Sequence, residues 1–336
     1  MIPPGWADAF GVTVSGPAIP LGDGHIHGTW RVPCAGGDVV AQRINTAVFA
    51  DVAACEANLD RIDRHLAGRG LVAPLVRTVG GAVHWRDPDG VPWRVSRFAA
   101  GTVGGTVAAD AAQAFDTARL FGRYVVALDD LPGGALADTI PRFHDLAHRA
   151  GQLAAAVDAD RCGRLAGCRG VVDRAGEVVA EVGRRLAAVG SLPVRTVHND
   201  AKVANVRFDA VSGAAAVVVD LDTTMAGTVL ADVGELLRTA SSRVAEDALE
   251  PAGVVVDPER VAAVLEGFAA GAGAVLGDAE RAVLALGGPF LAVENAVRFL
   301  ADHLDGDRYY GAERPGHNLD RARVQLAVTE GLLARC

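Results

Sequence analysis

Over most of the chain apolar positions recur every three or four residues, the period of helices with one buried face. In residues 51–66, Val52, Cys55, Leu59, Ile62 and Leu66 follow at spacings of 3, 4, 3 and 4, behind Asp51 as a cap. Ala114, Ala118, Phe121, Val125 and Leu128 mark the next such face. Further helices read over 171–189, from near Asp232, over 258–271 and 279–287, and from 316 to the end. In 289–304, Phe290, Val293, Val297, Leu300 and Leu304 form a stripe, while Glu294, Arg298 and Asp302 step by four along the polar side. The first hundred residues read differently. Ile26, Trp30 and Val32 predict a strand, 35–38 a turn and 39–44 a second strand. Shorter strand-like pieces follow at 71–79, 82–85 and, after a DPDG turn, 93–98. Residues 1–20 contain several prolines and read as a leader packed on the surface. The pattern predicts an α+β chain of two lobes, a small β-rich one over 1–100 and a larger, mostly helical one over 101–336.

One stretch interrupts the helical half. Residues 194–223 read VRTVHNDAKVANVRFDAVSGAAAVVVDLDT, a short strand, a turn at 209–213 and an unbroken apolar run over 214–219. Folding that hairpin back places Asp220 beside the loop that carries His198, Asp200, Lys202 and Asn205. These groups suit phosphoryl transfer. Asn205 and Asp220 offer the hard oxygens that Mg²⁺ takes. Asp200 is a carboxylate for an acceptor hydroxyl, and Lys202 a point charge for the moving phosphoryl group.

Composition narrows the classes. A chain of 336 residues, half of them apolar, can bury a large core. A net charge of −9 with no basic run argues against a nucleic-acid partner. The five cysteines are odd in number and form no C-x-x-C, which argues against a disulfide framework or a zinc site and predicts reduced thiols in a cytoplasmic protein. No uninterrupted run of about 18 apolar residues is present, so no membrane span is expected. The oligomeric expectation is a monomer or a weak homodimer.

The pattern H-x-D-x-K-x-x-N, followed after a strand by an Asp, resembles the catalytic loop and metal-binding segment of kinases, with DLD in place of DFG. That resemblance lends meaning to weaker signals. Gly24 and Gly28 sit where kinases cover the nucleotide phosphates. Arg43, ending the second strand, stands where the phosphate-gripping Lys is found, with Glu56 on the following helix as its acidic partner. Arg97, Phe98 and Ala99 fall where the backbone of the interlobe linker meets adenine. His144 and Asp145, with Arg149 nearby, form a charged loop that would meet substrate; Asp232 would brace the catalytic loop.

The resemblance extends over most of residues 20–330. The segments QRIN, WRVSRF, IPRFHD, HNDAKVAN, VVDLDT and DVGELLRT, with the tail RFLADHLDGDRYY and HNLDRARVQ, occur in this order. Together they resemble the N-acetylhexosamine 1-kinase branch of the aminoglycoside phosphotransferase-like small-molecule kinases. The resemblance implies a bilobal protein kinase-like fold, ATP and Mg²⁺ as cofactors, and phosphorylation of a free sugar at its anomeric hydroxyl. It implies Asp200 as base, Lys202 at the γ-phosphate, Asn205 and Asp220 as metal ligands, and an assisting role for Asp222 near the substrate. The chain departs from the branch at GHIHGTW in the glycine-rich segment and at HNDAK. Two readings stay open beside it: a kinase of another small hydroxyl substrate such as an aminoglycoside, choline or homoserine, and a catalytically silent nucleotide-binding regulator.

Overall fold

A computed structural model describes residues 2–21, 27–242 and 253–336. Gly24 and Ile26 lie outside them. The first lobe is an antiparallel sheet because its strands carry alternating side chains that two different surfaces must cover. Strands β1 (Ile19–Pro20), β2 (Gly28–Val32), β3 (Val39–Arg43), β4 (Leu75–Val76), β5 (His84–Arg86) and β6 (Pro92–Arg97) run in the order β1-β2-β3-β6-β4, with β5 also pairing β6. Val39, Ala41, Trp93 and Val95 share the outer face, where they cluster with Trp6 and Phe10. The leader packs on this face of the sheet. Short helix α1 (Trp6–Ala9) seals the sheet, and Trp6 is only 1% exposed, because an indole of that size is worth most to the fold when desolvated.

The opposite face turns toward helix α2 (Val52–Leu66) and the second lobe. α2 starts where expected, with the Asp51 carboxylate accepting the Ala54 amide at 2.9 Å. Only two residues of 71–79 form strand β4. Residues 71–72 instead reach the second lobe: Val72 bridges Val218, and the Val218 amide donates to the Leu71 carbonyl at 2.8 Å.

In the second lobe, α3 (Ala111–Leu128), α4 (Leu146–Ala159), α5 (Leu165–Val189), α6 (Val229–Ala240), α7 (Pro258–Ala272), α8 (Asp278–Arg281), α9 (Gly287–Asp305) and α10 (His317–Leu333) enclose two small β elements. Strands β7 (Thr102–Gly104), β9 (Val206–Asp209) and β10 (Ala215–Val218) form one sheet, β8 (Arg195–Val197) and β11 (Met225–Gly227) the other. Of the apolar run at 214–219 only Val218 is fully buried. The helix expected over 279–287 is broken into α8 and a 3₁₀ turn, Leu284–Leu286. The stretch Leu284–Asp305 is long and apolar enough to cross a membrane, contrary to the expectation of no such segment, but 83% of its apolar window is buried within the fold, the mark of a core helix. α9 packs against α4, α5, α6 and α10.

α3 and α7 meet backbone to backbone. A Cβ on Gly267 would lie 2.3 Å from the Phe115 carbonyl oxygen, and one on Gly271 would lie 2.2 Å from that of Arg119. Neither neighbour is a side chain that could swing away. Gly267→Ala should therefore lower stability by about 1–3 kcal/mol through overpacking, measured by denaturant unfolding; an unchanged midpoint would contradict this packing.

Candidate active site

The loop after β8 takes its shape from buried hydrogen bonds. Asn199 adopts φ 62°, in the left-handed region that Asn tolerates better than most residues. Its amide and that of His198 donate to the two oxygens of Asp232, at 2.7 and 3.0 Å. The Asn199 side chain donates to the Thr223 carbonyl at 3.1 Å, so one residue joins the loop to the segment after β10. His198 sits edge-on to Phe121 and faces the Val219 carbonyl through Nε2 at 3.2 Å, while Nδ1 accepts the Asp200 amide at 3.3 Å. Burial pushes its imidazole below the usual value, so His198 is a neutral brace.

Three groups meet at Asp200. Its Oδ2 lies 2.8 Å from the Lys202 ammonium and accepts the Asn205 amide at 2.9 Å. Burial pushes the Asp200 carboxyl up, but Lys202 and Asn205 outweigh it and hold the group below the usual carboxylate range. The same contacts raise Lys202. Since the Asn205 amide nitrogen faces Asp200, its Oδ1 has no protein partner among the described residues.

Across the hairpin, Val219 donates to the Asn205 carbonyl at 2.9 Å, and Asp220 follows with φ 62°. Asp220 opens into the cleft. Dense surrounding protein and the charges of Asp222 and Asp200 push its carboxyl above the usual range. Asp222, two residues on, is buried, and both of its oxygens take an Arg94 guanidinium nitrogen at 2.6 Å. Burial pushes the Asp222 carboxyl up, but the Arg94 fork outweighs it and holds the group well below the usual range. A substrate role for Asp222 does not fit a carboxylate so fully engaged. Of the two, Asp220 is the one left for a cation. Its carboxylate and the neutral amide oxygen Asn205 Oδ1 are the hard oxygen donors a divalent metal takes, and its raised proton affinity is what burial beside two other carboxylates produces. His27, Asp220 and Asp222 also offer atoms within 4.8 Å of one another.

On the first-lobe side the expected pairing of Arg43 with Glu56 does not form. Arg43 shares the side-chain parity of Ala41, so it points to the outer face and is exposed. Glu56 instead contacts His84. The cation on the cleft face is Arg94, whose Nε and Nη2 also bind Gln42 Oε1 at 3.1 and 2.8 Å. The alternation in WRVSR carried that signal: with Trp93 and Val95 against the core, Arg94 must face the cleft. Gly28 opens β2, and the Trp30 ring occupies the space a side chain would need. In the linker the Arg97 guanidinium donates to the Gly36 carbonyl, away from the cleft, and the Phe98 ring lies under Arg31, 4.3 Å from its guanidinium carbon. The Phe98 amide is taken by the Asp38 carbonyl at 3.0 Å, and the Ala99 carbonyl accepts Thr102 Oγ1 at 2.6 Å. The Ala99 amide has no protein partner among the described residues.

Beyond Asp200, His144 donates or accepts at two points, the Asn199 carbonyl at 2.7 Å and Glu294 at 3.0 Å. Burial pushes its imidazole down, but Glu294 more than offsets this and raises it. Asp145 is a helix cap instead of a cleft residue: it accepts the His148 amide at 2.8 Å and binds Arg142. The sequence reading did not single out Glu294 and Arg298 as site residues. The Arg298 side chain is 13% exposed, lies 4.0 Å from Glu294 and stacks near Phe143 and Tyr310, without a hydrogen bond to the described residues.

The model of a family described as "Phosphotransferase enzyme family" matches residues 18–282. Among solved structures the chain is similar to an aminoglycoside phosphotransferase from Alicyclobacillus acidocaldarius subsp. acidocaldarius DSM 446 (16% identity, 99% of this chain and 94% of that chain, TM-score 0.64). It is also similar to an amicoumacin kinase in complex with AMP-PNP, Ca²⁺ and Ami (13% identity, 94% and 90%, TM-score 0.62). A third is a microcompartment-associated aminopropanol kinase (17% identity, 96% and 93%, TM-score 0.59). At these identities the likeness establishes the fold.

Two measurements check this geometry. Arg43→Ala should change affinity for ADP with Mg²⁺ by less than about twofold, as befits a surface residue; a tenfold loss in calorimetry would return Arg43 to the cleft. Burial pushes the Glu56 carboxyl up to about 7. A carboxyl raised on folding adds stability that is complete below its unfolded value of about 4.3 and is lost as pH rises through the folded value. Melting temperature should therefore fall between about pH 5 and 8, and Glu56→Gln should flatten that slope; an unaltered slope in the variant would assign it elsewhere.

Proposed function

The chain belongs to the phosphotransferase enzyme family, and from that premise we propose that it moves the γ-phosphoryl group of ATP to the anomeric hydroxyl of a free hexose or N-acetylhexosamine. The observation that carries the reading is the cluster of Asp200, Lys202 and Asn205 with Asp220 facing it across the β9–β10 hairpin. Asp200, kept ionised by Lys202, accepts the hydrogen of the acceptor hydroxyl and aims its oxygen at phosphorus. Lys202 then meets the charge that develops on the transferred group. Asn205 Oδ1 and the Asp220 carboxylate would hold Mg²⁺, which when bound neutralises and orients the phosphates. The linker supports adenine through the Ala99 amide.

The choice of a sugar over a cationic acceptor rests on the far side of Asp200. Arg298 and Arg149 are close enough for each to act on the other's charge, and Glu294, which they share, is already engaged by His144. Two guanidiniums disfavour an aminoglycoside or choline and suit a ring of hydroxyl oxygens, and Phe143 and Tyr310 lie against Arg298 and hold it in place. A silent nucleotide-binding regulator is disfavoured by the intact set at positions 200, 202, 205 and 220. A cytoplasmic, monomeric enzyme is the accompanying expectation.

ADP release with ATP and Mg²⁺ should be measured against free sugars, amino alcohols and aminoglycosides. Turnover should be confined to a hexose or N-acetylhexosamine, with the new phosphate on C1; turnover on a cationic acceptor alone would overturn the substrate assignment. Asp200→Asn should lose on the order of 10²–10⁴ in kcat while ADP still binds. Near-normal turnover in that variant would remove Asp200 as the base.

A further inference from the structure

His27 lies immediately before β2 and is 7% exposed. Its Nδ1 accepts the backbone amide of Asn45 at 3.1 Å, and its ring packs on Phe49 with centroids 5.3 Å apart. An imidazole that accepts through Nδ1 carries its proton on Nε2. Nε2 lies 3.4 Å from Asp222 Oδ2 but lacks hydrogen-bond geometry there, and no other protein acceptor satisfies it among the described residues. Asp222 cannot turn to improve the contact, because the Arg94 fork holds both of its oxygens and Thr139 Oγ1 holds its carbonyl at 2.7 Å.

The triad of His27, Asp220 and Asp222 has the composition of a transition-metal site, but the tautomer excludes that use: a nitrogen bearing a proton has no lone pair for a metal. What remains is a buried N–H in a group whose polar atoms, those of Asp220 included, lie within 4.8 Å of one another. A donor nine-tenths buried and unmatched costs the fold free energy until an acceptor reaches it. In a phosphotransferase the acceptor that arrives beside Asp220 is a phosphate oxygen.

Resting on the ATP reading above, we propose that His27 Nε2–H donates a hydrogen bond to a phosphate oxygen of the bound nucleotide, and that the Arg94–Asp222 pair positions His27 and the start of β2 for it. His27 supplies the donor from the first lobe that Arg43, on the outer face, cannot. Asp222 is a positioning residue in this arrangement and touches no substrate.

The test is calorimetric titration of ADP with Mg²⁺, which needs no acceptor and no turnover. His27→Phe keeps the ring packing on Phe49 and deletes the donor together with the Nδ1 acceptor of the Asn45 amide; it should weaken ADP binding by about tenfold or more, the usual worth of a hydrogen bond to a charged group. His27→Gln, which restores an N–H, should recover part of that loss, and the acceptor KM should stay within about twofold in both. The paired change Arg94→Met with Asp222→Leu removes both buried charges together, so the fold is retained; it should still lose ADP affinity. Unchanged ADP affinity in His27→Phe, or full affinity in the double variant, overturns the inference and leaves the kinase reading standing. Loss of Mn²⁺ binding in nucleotide-free His27→Phe, followed by electron paramagnetic resonance, would overturn it in favour of a metal-ligand role. Failure of the unaltered protein to bind ADP would sink both readings.

Discussion

Arg94 reaches out of the small sheet and closes on Asp222, a residue of the helical lobe 128 positions away, with both partners almost fully buried. Such a pair gains little net stability over apolar residues of the same size, yet removing one partner costs about 3–5 kcal/mol because it leaves a charge without water or counter-ion. Its value is geometric. The bidentate fork has one good orientation, so it fixes how the cleft face of β6 meets the turn after β10. Gln42 holds the other edge of the guanidinium, and Thr139 and Asn199 hold the backbone around Asp222 from the helical side.

That constraint sorts two aspartates that look alike on paper. In DLD, Asp222 is consumed by Arg94, and Asp220 is left facing the cleft with no ion pair among the described residues. Asp200 is a third case. It is ionised like Asp222 but open to an incoming hydroxyl, because its partners are a lysine and an amide on the same short loop. Three carboxylates crowd one region, and their neighbours give them different protonation tendencies. The αL conformations at Asn199 and Asp220 turn the chain so that these differences point into the same space.

Much of this was legible in the chain. Helical period located α2, α3, α5, α7 and α9 within a few residues, because each buries one continuous face. The H-x-D-x-K-x-x-N spacing places its three functional side chains in one loop, and local backbone geometry carries them together whatever surrounds them. Arg43 was misplaced for a simple reason. A strand residue belongs to one face or the other by parity, and the burial of Val39 and Ala41 on the outer face puts Arg43 on that face too, whatever the resemblance to kinases implies for its position. That the leader packs on a surface was legible; that Trp6 and Phe10 seal the outer face of the sheet was not, because that face exists only once the strands have paired.

Local rules, readable along the chain, control which segments are helices, where the chain turns, and which groups share the loop at 198–205. Partners across the lobes are set by folding in three dimensions. That Arg94 closes on Asp222, that Glu56 meets His84, and that His27 keeps an unmatched N–H beside Asp220 all follow from strand register and the docking of α2. Contacts between residues far apart in the chain are set by which surfaces exclude water together, and no spacing along the sequence records that.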